Sequence, residues 1–305
     1  SIINYQLSII NYQLSIIKGM SFTPKVTDDG SYTFFSPEFE QTFHSLRGAK
    51  LEAQEKFIIP CELAKKAQTH SHLKLLDICY GLGYNTAQAL ETIWKINPRC
   101  EVELIALELD IIVPQSAIAH QLLNLWSPTI QEFLTVLTEQ QSLTTDNLKA
   151  QLLIGDARKT IQQAIQQGFL ADAIFLDPFS PPHCPQLWTV EFLGLVSQCL
   201  HPQGRLATYS CAAAVRTALS LAGLHYTSTM GMNRRSTVAS WREKDLSPLS
   251  QLDLEHQQTR AAIPYRDSSL NASPETILKE RQKEQEKSPL EATSQWRRRW
   301  RMKMQ

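Results

Sequence analysis

Asp-Ala-Ile-Phe-Leu-Asp-Pro-Phe-Ser-Pro-Pro, residues 172–182, is an apolar segment that ends on a carboxylate and then meets three prolines. Consecutive apolar residues are typical of a strand buried on both faces, which favours a parallel sheet. The prolines cannot continue regular backbone hydrogen bonding, so the chain is expected to leave the sheet just past Asp177. Ligands bind outside the carboxyl ends of strands in such a sheet, so Asp177 is a candidate for chemistry. A carboxylate that caps the next turn would show the same pattern.

A second strand runs into a glycine-containing turn about a hundred residues earlier. Residues 73–85 read Leu-Lys-Leu-Leu-Asp-Ile-Cys-Tyr-Gly-Leu-Gly-Tyr-Asn, and residues 86–94 have the apolar spacing of a helix. Glycine lets the backbone approach a ligand closely, and the start of a helix offers free N–H groups. The pattern indicates a ligand at Gly81 and Gly83, although two glycines alone are weak evidence.

Four predicted strand ends carry acids: Asp77, Glu108, Asp156 and Asp177. A carboxylate at the end of the second strand suits a ribose diol, because it can accept from both hydroxyls. S-adenosylmethionine is a cation with an amino group, a ribose and an adenine amine, and it carries no phosphate. Cys79 replaces the first glycine of the dinucleotide fingerprint, which disfavours NAD and is compatible with S-adenosylmethionine.

Four blocks of this sequence resemble the methyltransferase half of the bifunctional MnmC enzymes. They are residues 77–85, 172–188, 207–219 and 233–240, and the second block is the most specific. MnmC completes 5-methylaminomethyl-2-thiouridine at the wobble position of tRNA, and the chain looks closer still to stand-alone relatives without the flavin oxidase half. The resemblance runs from roughly Thr27 to Arg266. Departures are Asp77 for glutamate, Cys79 for glycine and Pro178 for glycine or alanine.

The resemblance implies an α/β fold: a Rossmann-like sheet of an S-adenosylmethionine-dependent methyltransferase with a small N-terminal β-rich addition. Residues 1–19 contain exact heptad copies, Ser-Ile-Ile-Asn-Tyr-Gln-Leu, and are interpreted as a non-native or disordered extension. The predicted domains are this extension, the addition at 20–62, the methyltransferase domain at 63–245, and a polar linker with a basic tail at 246–305.

The implied function is N-methylation of 5-aminomethyl-(2-thio)uridine in tRNA, with S-adenosylmethionine as cofactor. Asp177 is the predicted catalytic residue, which would orient the acceptor amine and take its proton late. The predicted cofactor-binding residues are Asp77, Tyr80, Gly81, Gly83, Asn85, Glu108, Asp156 and Ala157. The predicted substrate-binding residues are Phe179, Ser180, Pro181, Trp188, Tyr209, Arg216, Arg234 and Arg235.

Three other functions fit parts of this pattern. Polyamine aminopropyl transfer uses the same sheet with an aspartate that holds an amine, but it needs more acids around the pocket. Exocyclic adenine or cytosine methylation uses an Asp/Asn-Pro-Pro-aromatic loop, whereas Phe179 and Ser180 occupy the last two places here. A non-catalytic RNA-binding module would not need acids at four strand ends.

Bulk properties predict neither RNA nor membrane binding, because 30 basic and 30 acidic residues cancel. The six cysteines show no metal-ligand spacing, so we expect no metal site and reduced thiols in a cytoplasmic protein. Because the net charge is zero, any RNA contact must come from a local patch of positive charge. Residues 296–303, Trp-Arg-Arg-Arg-Trp-Arg-Met-Lys, suit a phosphate backbone with base stacking, or equally a tail that docks on its own domain.

Local patterns predict further elements outside the four blocks. Residues 27–31 have the composition of a hairpin turn, and residues 44–55 that of a helix. Residues 111–150 are expected to form one or two helices with a polar link at 140–147. Residues 268–295 are rich in Glu, Lys and Gln and predict a solvated helix or a disordered linker.

Overall fold

The structure is a computed structural model that describes residues 22–230 and 235–303. The heptad copies and Arg234 lie outside these residues. Two short antiparallel hairpins come first, β1 (Lys25–Val26) with β2 (Tyr32–Thr33) and β3 (Phe35–Ser36) with β4 (Gln41–Thr42). The predicted hairpin turn at 27–31 is thus confirmed, and Asp29 closes it by accepting from the backbone N–H of Ser31 at 3.0 Å.

The centre of the fold is an eight-stranded sheet with the order β11-β12-β10-β9-β5-β6-β8-β7. Its strands are β5 (His72–Ile78), β6 (Glu101–Glu108), β7 (Ser142–Thr144), β8 (Leu148–Ile154), β9 (Ala171–Leu176), β10 (Leu200–Thr208), β11 (His225–Met230) and β12 (Arg235–Ser240). Strands β8, β6, β5, β9 and β10 are parallel. Strands β7, β12 and β11 each run antiparallel to the strand they join.

Helices cover both faces of this sheet. They are α1 (Ala49–Ala53), α2 (Leu63–Thr69), α3 (Tyr84–Ile96), α4 (Ile112–Ala119), α5 (Pro128–Gln140), α6 (Ala157–Gln166), α7 (Val190–Gln198), α8 (Ala213–Leu221), α9 (Gln251–His256), α10 (Pro274–Lys287) and α11 (Thr293–Lys303). A π-helical turn, Gln54–Ile58, continues α1. Several helices begin at a side-chain cap, such as Ser127 on α5 and Thr189 on α7.

The hydrophobic core consists of two layers, one on each face of the sheet. Successive side chains of a strand point to opposite faces, and β5 shows this directly. Leu73 and Leu75 pack into the layer under α1, α3 and α5, whereas Leu76 and Ile78 pack into the layer under α6, α7 and α8. Burial on both faces explains the apolar runs that predicted a parallel sheet.

Chain order reverses between β5 and β9. From β5 the chain builds outward through β6 to β8, then returns to the other side of β5 and builds outward through β9 to β10. This reversal is the switch point at which open α/β sheets leave a crevice for a ligand. The predicted α/β, Rossmann-like sheet with an N-terminal β-rich addition is confirmed.

Two local predictions were wrong in part. The helix predicted over 44–55 begins only at Ala49, because Gly48 has a positive φ of 146° and the chain before it closes a turn from Ser45. The polar link predicted at 140–147 contains β7, because the turn into β8 is closed by three hydrogen bonds between Thr145 and Leu148. Within the predicted solvated segment, residues 274–287 form α10. No helix of residues 22–230 and 235–303 combines the length and the apolar character needed to cross a bilayer.

Candidate active site

A cavity of about 630 Å³ opens at the carboxyl ends of the parallel strands. Its floor comes from the residues that follow β5, β6, β8, β9 and β10, and its opposite wall comes from the N-terminal addition. Of the predicted site residues, those in the wall are Gly81, Glu108, Asp156, Ala157, Asp177, Phe179, Ser180 and Tyr209. These side chains, which lie far apart in sequence, share one cavity because parallel strands end at the same edge.

Glu108 lines the cavity at the end of β6. One carboxylate oxygen accepts from the backbone N–H of Gly81 at 2.7 Å, and the other accepts from that of Asp110 at 3.1 Å. Burial raises the pKa of Glu108, and the backbone donors oppose that rise. A carboxylate oxygen has two lone pairs, so each oxygen can still accept from one hydroxyl of a diol.

The turn after β5 is held against the end of β6. The backbone N–H groups of Cys79 and Tyr80 both donate to the carbonyl of Leu107, at 3.0 and 2.9 Å. Cys79 has a φ of 68°, a conformation that favours glycine, which explains why glycine stands here in the resembling family.

Asp77 is fully buried behind the cavity wall, between the end of β5 and the first turn of α3. One of its oxygens accepts from the Thr86 hydroxyl at 2.7 Å, and the other has no partner among the described residues. Burial raises the pKa of Asp77 to about 7, and the nearby Glu108 charge contributes to the rise. A buried carboxylate with an unmatched oxygen is suited to a cationic ligand group.

Asp177 lies at the switch point, directly after β9. Its backbone N–H donates to the carbonyl of Ile78 at 3.1 Å, which joins the end of β9 to that of β5. Its Oδ2 accepts from the Asn85 side-chain amide at 2.9 Å. Burial and then the charge of Glu52 raise the pKa of Asp177 well above its usual range. Asn85 occupies only one lone pair of Oδ2, so the carboxylate can still accept from a substrate.

Asp156 caps α6, and its partner Arg158 links it to the C-terminal part of the chain. It accepts from the backbone N–H of Arg158 at 3.0 Å and from its guanidinium at 2.7 Å. Burial would raise the pKa of Asp156, but these bonds outweigh burial and hold it below its ordinary value. Arg158 also pairs with Asp267 at 3.0 Å. Both oxygens of Asp156 accept from Arg158, so the carboxylate is committed to this arginine.

The loop after Asp177 is fixed by two hydrogen bonds to its carbonyl groups. The hydroxyl of Tyr209 donates to Pro178 at 2.9 Å, and the indole of Trp188 donates to Phe179 at 2.8 Å. Trp188 is fully buried and Tyr209 lines the cavity. The structure thus makes Trp188 a support of the loop, which corrects its predicted contact with the substrate.

Aromatic rings of the N-terminal addition cover this loop. Phe39 stacks on Phe179 with centroids 4.4 Å apart, and Phe43 meets the same ring edge-on at 5.0 Å. Gln41 donates to the Ser180 hydroxyl at 2.8 Å and accepts from its backbone N–H at 3.0 Å. The addition therefore forms the roof of the cavity over the loop that follows Asp177.

Glu52 and Lys56, from the helical part of the N-terminal addition, also face the cavity and were not predicted. They form an ion pair of 2.5 Å, and the ammonium of Lys56 lies 5.9 Å from the centre of the Tyr209 ring. Burial would raise the pKa of Glu52, but the charge and hydrogen bond of Lys56, together with the backbone N–H of Ser45 and the charge of His44, hold it below its ordinary value. Their spacing of four residues on a predicted helix is the only sequence signal that joins them.

Several predicted site residues do not reach the cavity. Those behind the wall or in the loop are Asp77, Tyr80, Gly83, Asn85, Pro181 and Trp188. Arg216 is 1% exposed and pairs with Asp253 at 2.6 Å, so its predicted contact with a uridine or phosphate is wrong. Arg235 also pairs with Asp253, at 2.8 Å, and lies outside the cavity wall. No cluster of metal-ligand side chains occurs among residues 22–230 and 235–303.

Known methyltransferases are similar to this chain in sequence and fold. A family model for S-adenosyl-L-methionine-dependent methyltransferases matches residues 120–243. The crystal structure of MnmC2 from Aquifex aeolicus superposes with a TM-score of 0.77, at 28% identity over 94% of this chain and 98% of that chain. An uncharacterized protein of Methanocaldococcus jannaschii is 28% identical over 86% of this chain and 72% of its own length.

Curated bifunctional proteins match in part of their length. The tRNA 5-methylaminomethyl-2-thiouridine biosynthesis bifunctional protein MnmC of Aromatoleum aromaticum is 30% identical over 72% of this chain. The chain spans about a third of the length of these bifunctional relatives, 35% in that case. The fold and the acid-lined crevice define an S-adenosylmethionine-dependent methyltransferase, an enzyme with S-adenosylmethionine as cofactor. Within that class, the chain is an MnmC-like methyltransferase domain.

The residues present suit this cofactor. Glu108 offers two acceptor oxygens to a diol, and the buried Asp77 carboxylate provides negative charge near the glycine turn for a cationic group. Gly81 presents backbone without a side chain at the wall, with a φ of 56°. We propose that Glu108 holds the ribose, Asp77 favours the positively charged part, and Asp156 with Ala157 lies beside the adenine.

Glu108→Ala is expected to weaken S-adenosylmethionine binding at least tenfold, because two charge-assisted hydrogen bonds of ~1.5–3 kcal/mol each are lost. Glu108→Gln keeps one good acceptor and should bind with intermediate affinity. Titration calorimetry measures both, with Asp110→Asn, a change at the same rim, as the matched control. Affinity of Glu108→Ala equal to that of the unmodified protein would contradict the ribose assignment.

Proposed function

We propose that this protein transfers a methyl group from S-adenosylmethionine to the amine of 5-aminomethyl-(2-thio)uridine at the wobble position of tRNA. The observation that carries the proposal is Asp177, a half-buried carboxylate at the switch point with one oxygen held by Asn85. An aromatic roof lies over the same part of the cavity. The names of the bifunctional relatives supply the substrate class.

The acceptor amine must be neutral in order to attack the methyl group, and Asp177 helps to meet this requirement. The bound cofactor supplies an electrophilic methyl group on a sulfonium. An alkylammonium with a pKa near ~10 and an ordinary carboxylate near ~4 differ by about six units, so proton transfer to the carboxylate is costly. The raised pKa of Asp177 narrows this gap. Asp177 can therefore orient the amine through its carboxylate and receive its proton as the new bond forms.

The roof provides a place for the base. A wobble uridine is single-stranded in the anticodon loop, and such bases are commonly recognised by stacking on aromatic side chains. Phe179 and Tyr209 line the cavity next to Asp177, and Phe39 and Phe43 pack against Phe179. In this proposal the uridine lies among these rings and its aminomethyl group points to Asp177.

Alkyl transfer to a polyamine remains a second candidate because of one observation. Six carboxylates line the cavity: Glu38, Glu52, Glu108, Asp110, Asp156 and Asp177. The sequence alone did not show this many acids around the pocket, and a polycation would be attracted to them. Lys56 opposes this function, because its ammonium faces the same cavity as Asp177.

Methylation of defined tRNA distinguishes the two candidates. Purified protein is incubated with S-adenosylmethionine and with tRNA that carries 5-aminomethyl-2-thiouridine, and nucleosides are analysed by mass spectrometry. We expect one added methyl group on the wobble nucleoside and none on tRNA that is already methylated there. A parallel reaction offers putrescine with decarboxylated cofactor. Product in that reaction, with unchanged tRNA, would replace the proposed function by aminopropyl transfer.

A further inference from the structure

A phosphate-binding surface for this substrate is needed outside the cavity. The six carboxylates of the cavity attract an aminomethyl cation, but they repel the phosphates on either side of the base. The chain has no net charge, so attraction of RNA depends on where its cations lie. Cations at the same edge of the sheet as the cavity could hold the flanking phosphates.

Arg235 lies at that edge. Strand β12 runs antiparallel to β10, and Thr237 pairs with Thr208 at the carboxyl end of β10. Arg235, the first residue of β12, is therefore beside the strand end that leads to Tyr209. Neighbouring strands are about 4.8 Å apart, so β12 lies roughly 10 Å across the sheet from β9, which leads to Asp177.

Helix α9 joins this strand end to helix α11. Asp253 on α9 accepts from Arg235 at 2.8 Å and from the buried Arg216 at 2.6 Å. Two residues further on, Glu255 accepts from Arg299 of α11 at 2.6 Å. The ring of His256, the last residue of α9, stacks on Trp296 of α11 with centroids 4.6 Å apart.

The tryptophans of α11 are used for this docking. Trp296 is 7% exposed, and the indole of Trp300 donates to Glu255 at 2.8 Å. They are therefore engaged by the protein itself, which favours the docked tail over base stacking. Arg297 and Arg298 lie on the exposed side of the same helix. Burial and then the charges of Arg216, Arg297 and Arg235 lower the pKa of His256, consistent with a cluster of cations around α9.

We propose that Arg297 and Arg298, together with Arg235, form a surface that binds the sugar-phosphate backbone of the RNA strand entering the cavity. The inference rests on the proposed function, because it assumes an RNA substrate. The side chain of Arg235 is 37% exposed and its guanidinium pairs with Asp253. Arg297 and Arg298 therefore supply most of the positive charge that this surface offers to RNA. Guanidinium groups bind phosphate oxygens with paired hydrogen bonds, which suits this role.

The test reverses charge on this surface and, as a control, at the opposite edge of the sheet. The full chain with Arg297→Glu and Arg298→Glu is compared with a chain carrying Lys95→Glu and Arg99→Glu. The control residues are exposed and lie where α3 leads into the amino end of β6. Both variants change the net charge by the same amount, so general electrostatics affects them equally.

We expect the Arg297/Arg298 variant to bind tRNA at least tenfold more weakly at ~0.1 M salt. The slope of log affinity against log salt should fall by about 1 to 2, as expected for two lost phosphate contacts. Fluorescence anisotropy with labelled tRNA measures both quantities. The same variant should methylate the free nucleoside 5-aminomethyluridine at the unmodified rate, because that acceptor has no phosphate. The Lys95/Arg99 variant should resemble the unmodified protein throughout.

The outcomes separate this inference from the proposed function. If the unmodified protein methylates neither tRNA nor nucleoside, the proposed function fails. If it methylates tRNA and the Arg297/Arg298 variant retains its KM and salt slope, the surface inference is overturned. Equal losses in both variants would also overturn it, since they would reflect net charge alone. Should the charge reversal unfold the protein, Arg297→Gln with Arg298→Gln replaces it, and we then expect a smaller loss of the same kind.

Discussion

Asp177→Ala is expected to lower the rate of tRNA methylation by at least a hundredfold, because general acid–base groups typically contribute ~10²–10⁴-fold. Cofactor affinity should change less than about tenfold, since Glu108 and the glycine turn remain. Single-turnover methylation and calorimetry measure the two effects separately. The variant also removes the acceptor of the Asn85 amide, so Asn85 must find another partner.

Asp177→Asn is the matched variant, because it preserves size and can still accept a hydrogen bond. It removes the negative charge and the proton acceptor, so its rate should also be very low. In the unmodified enzyme the rate should rise with pH, because both the neutral amine and the ionised carboxylate become more abundant. The raised pKa of Asp177 moves this rise to a higher pH than an ordinary aspartate would give. Near-normal rates in both variants would make Asp177 a turn-capping residue.

Asp77→Asn is expected to stabilise the cofactor-free protein above pH 7. Burial raises the pKa of Asp77 to about 7 from an ordinary value of 3.8, so the folded state holds this proton more tightly than the unfolded state does. The contribution of this proton to the stability of the folded state is fully present below pH ~4 and is lost as the pH rises through 7. Ionised Asp77 then costs up to about 4 kcal/mol of the free energy of unfolding, at ~1.36 kcal/mol per unit.

Denaturant unfolding between pH 4 and 8 measures the difference between this variant and the unmodified protein. The free energy of unfolding of Asp77→Asn should exceed that of the unmodified protein by an amount that grows with pH. The affinity of Asp77→Asn for S-adenosylmethionine at pH 8 should be lower than that of the unmodified protein. Asp156→Asn is the control, a change whose effect on the free energy of unfolding should stay nearly constant over this pH range. The pKa of Asp156 is lowered, so its contribution is present above its ordinary pKa and is lost in acid. A difference between Asp77→Asn and the unmodified protein that does not vary with pH would refute the burial argument.

The floor of the cavity could be predicted from the sequence because strand ends follow from local patterns. Apolar runs that end in an acid and a breaker predict where a parallel strand stops, and all such stops meet at one edge. Glu108 and Asp177 were found in this way. Asp77 was assigned to the same edge, but only tertiary packing shows that it lies behind the wall.

The roof could not be predicted, because its contacts are distant in sequence and its strands have two residues each. Gln41 meets Ser180 across 139 positions, and no periodicity marks that pairing. Arg216 is the opposite case, in which the sequence predicted a contact that the fold excludes. Its residue type suggests a phosphate contact, but Asp253, 37 residues further on, determines that it is buried. Residue type suggests a chemistry, whereas the partner determines whether the group can be used.

The position of β12 has a consequence for synthesis of the chain. β12 lies between β10 and β11, although it follows β11 in sequence. As the polypeptide leaves the ribosome, β11 therefore emerges before the strand that connects it to the sheet. The part of the sheet edge that carries Asp156 is also completed late. Arg158, which binds Asp156, pairs with Asp267, more than a hundred residues further along the chain. The nascent chain can thus form β5, β6, β8 and β9 early, but Arg158 gains its second carboxylate partner only after Asp267 has been synthesised.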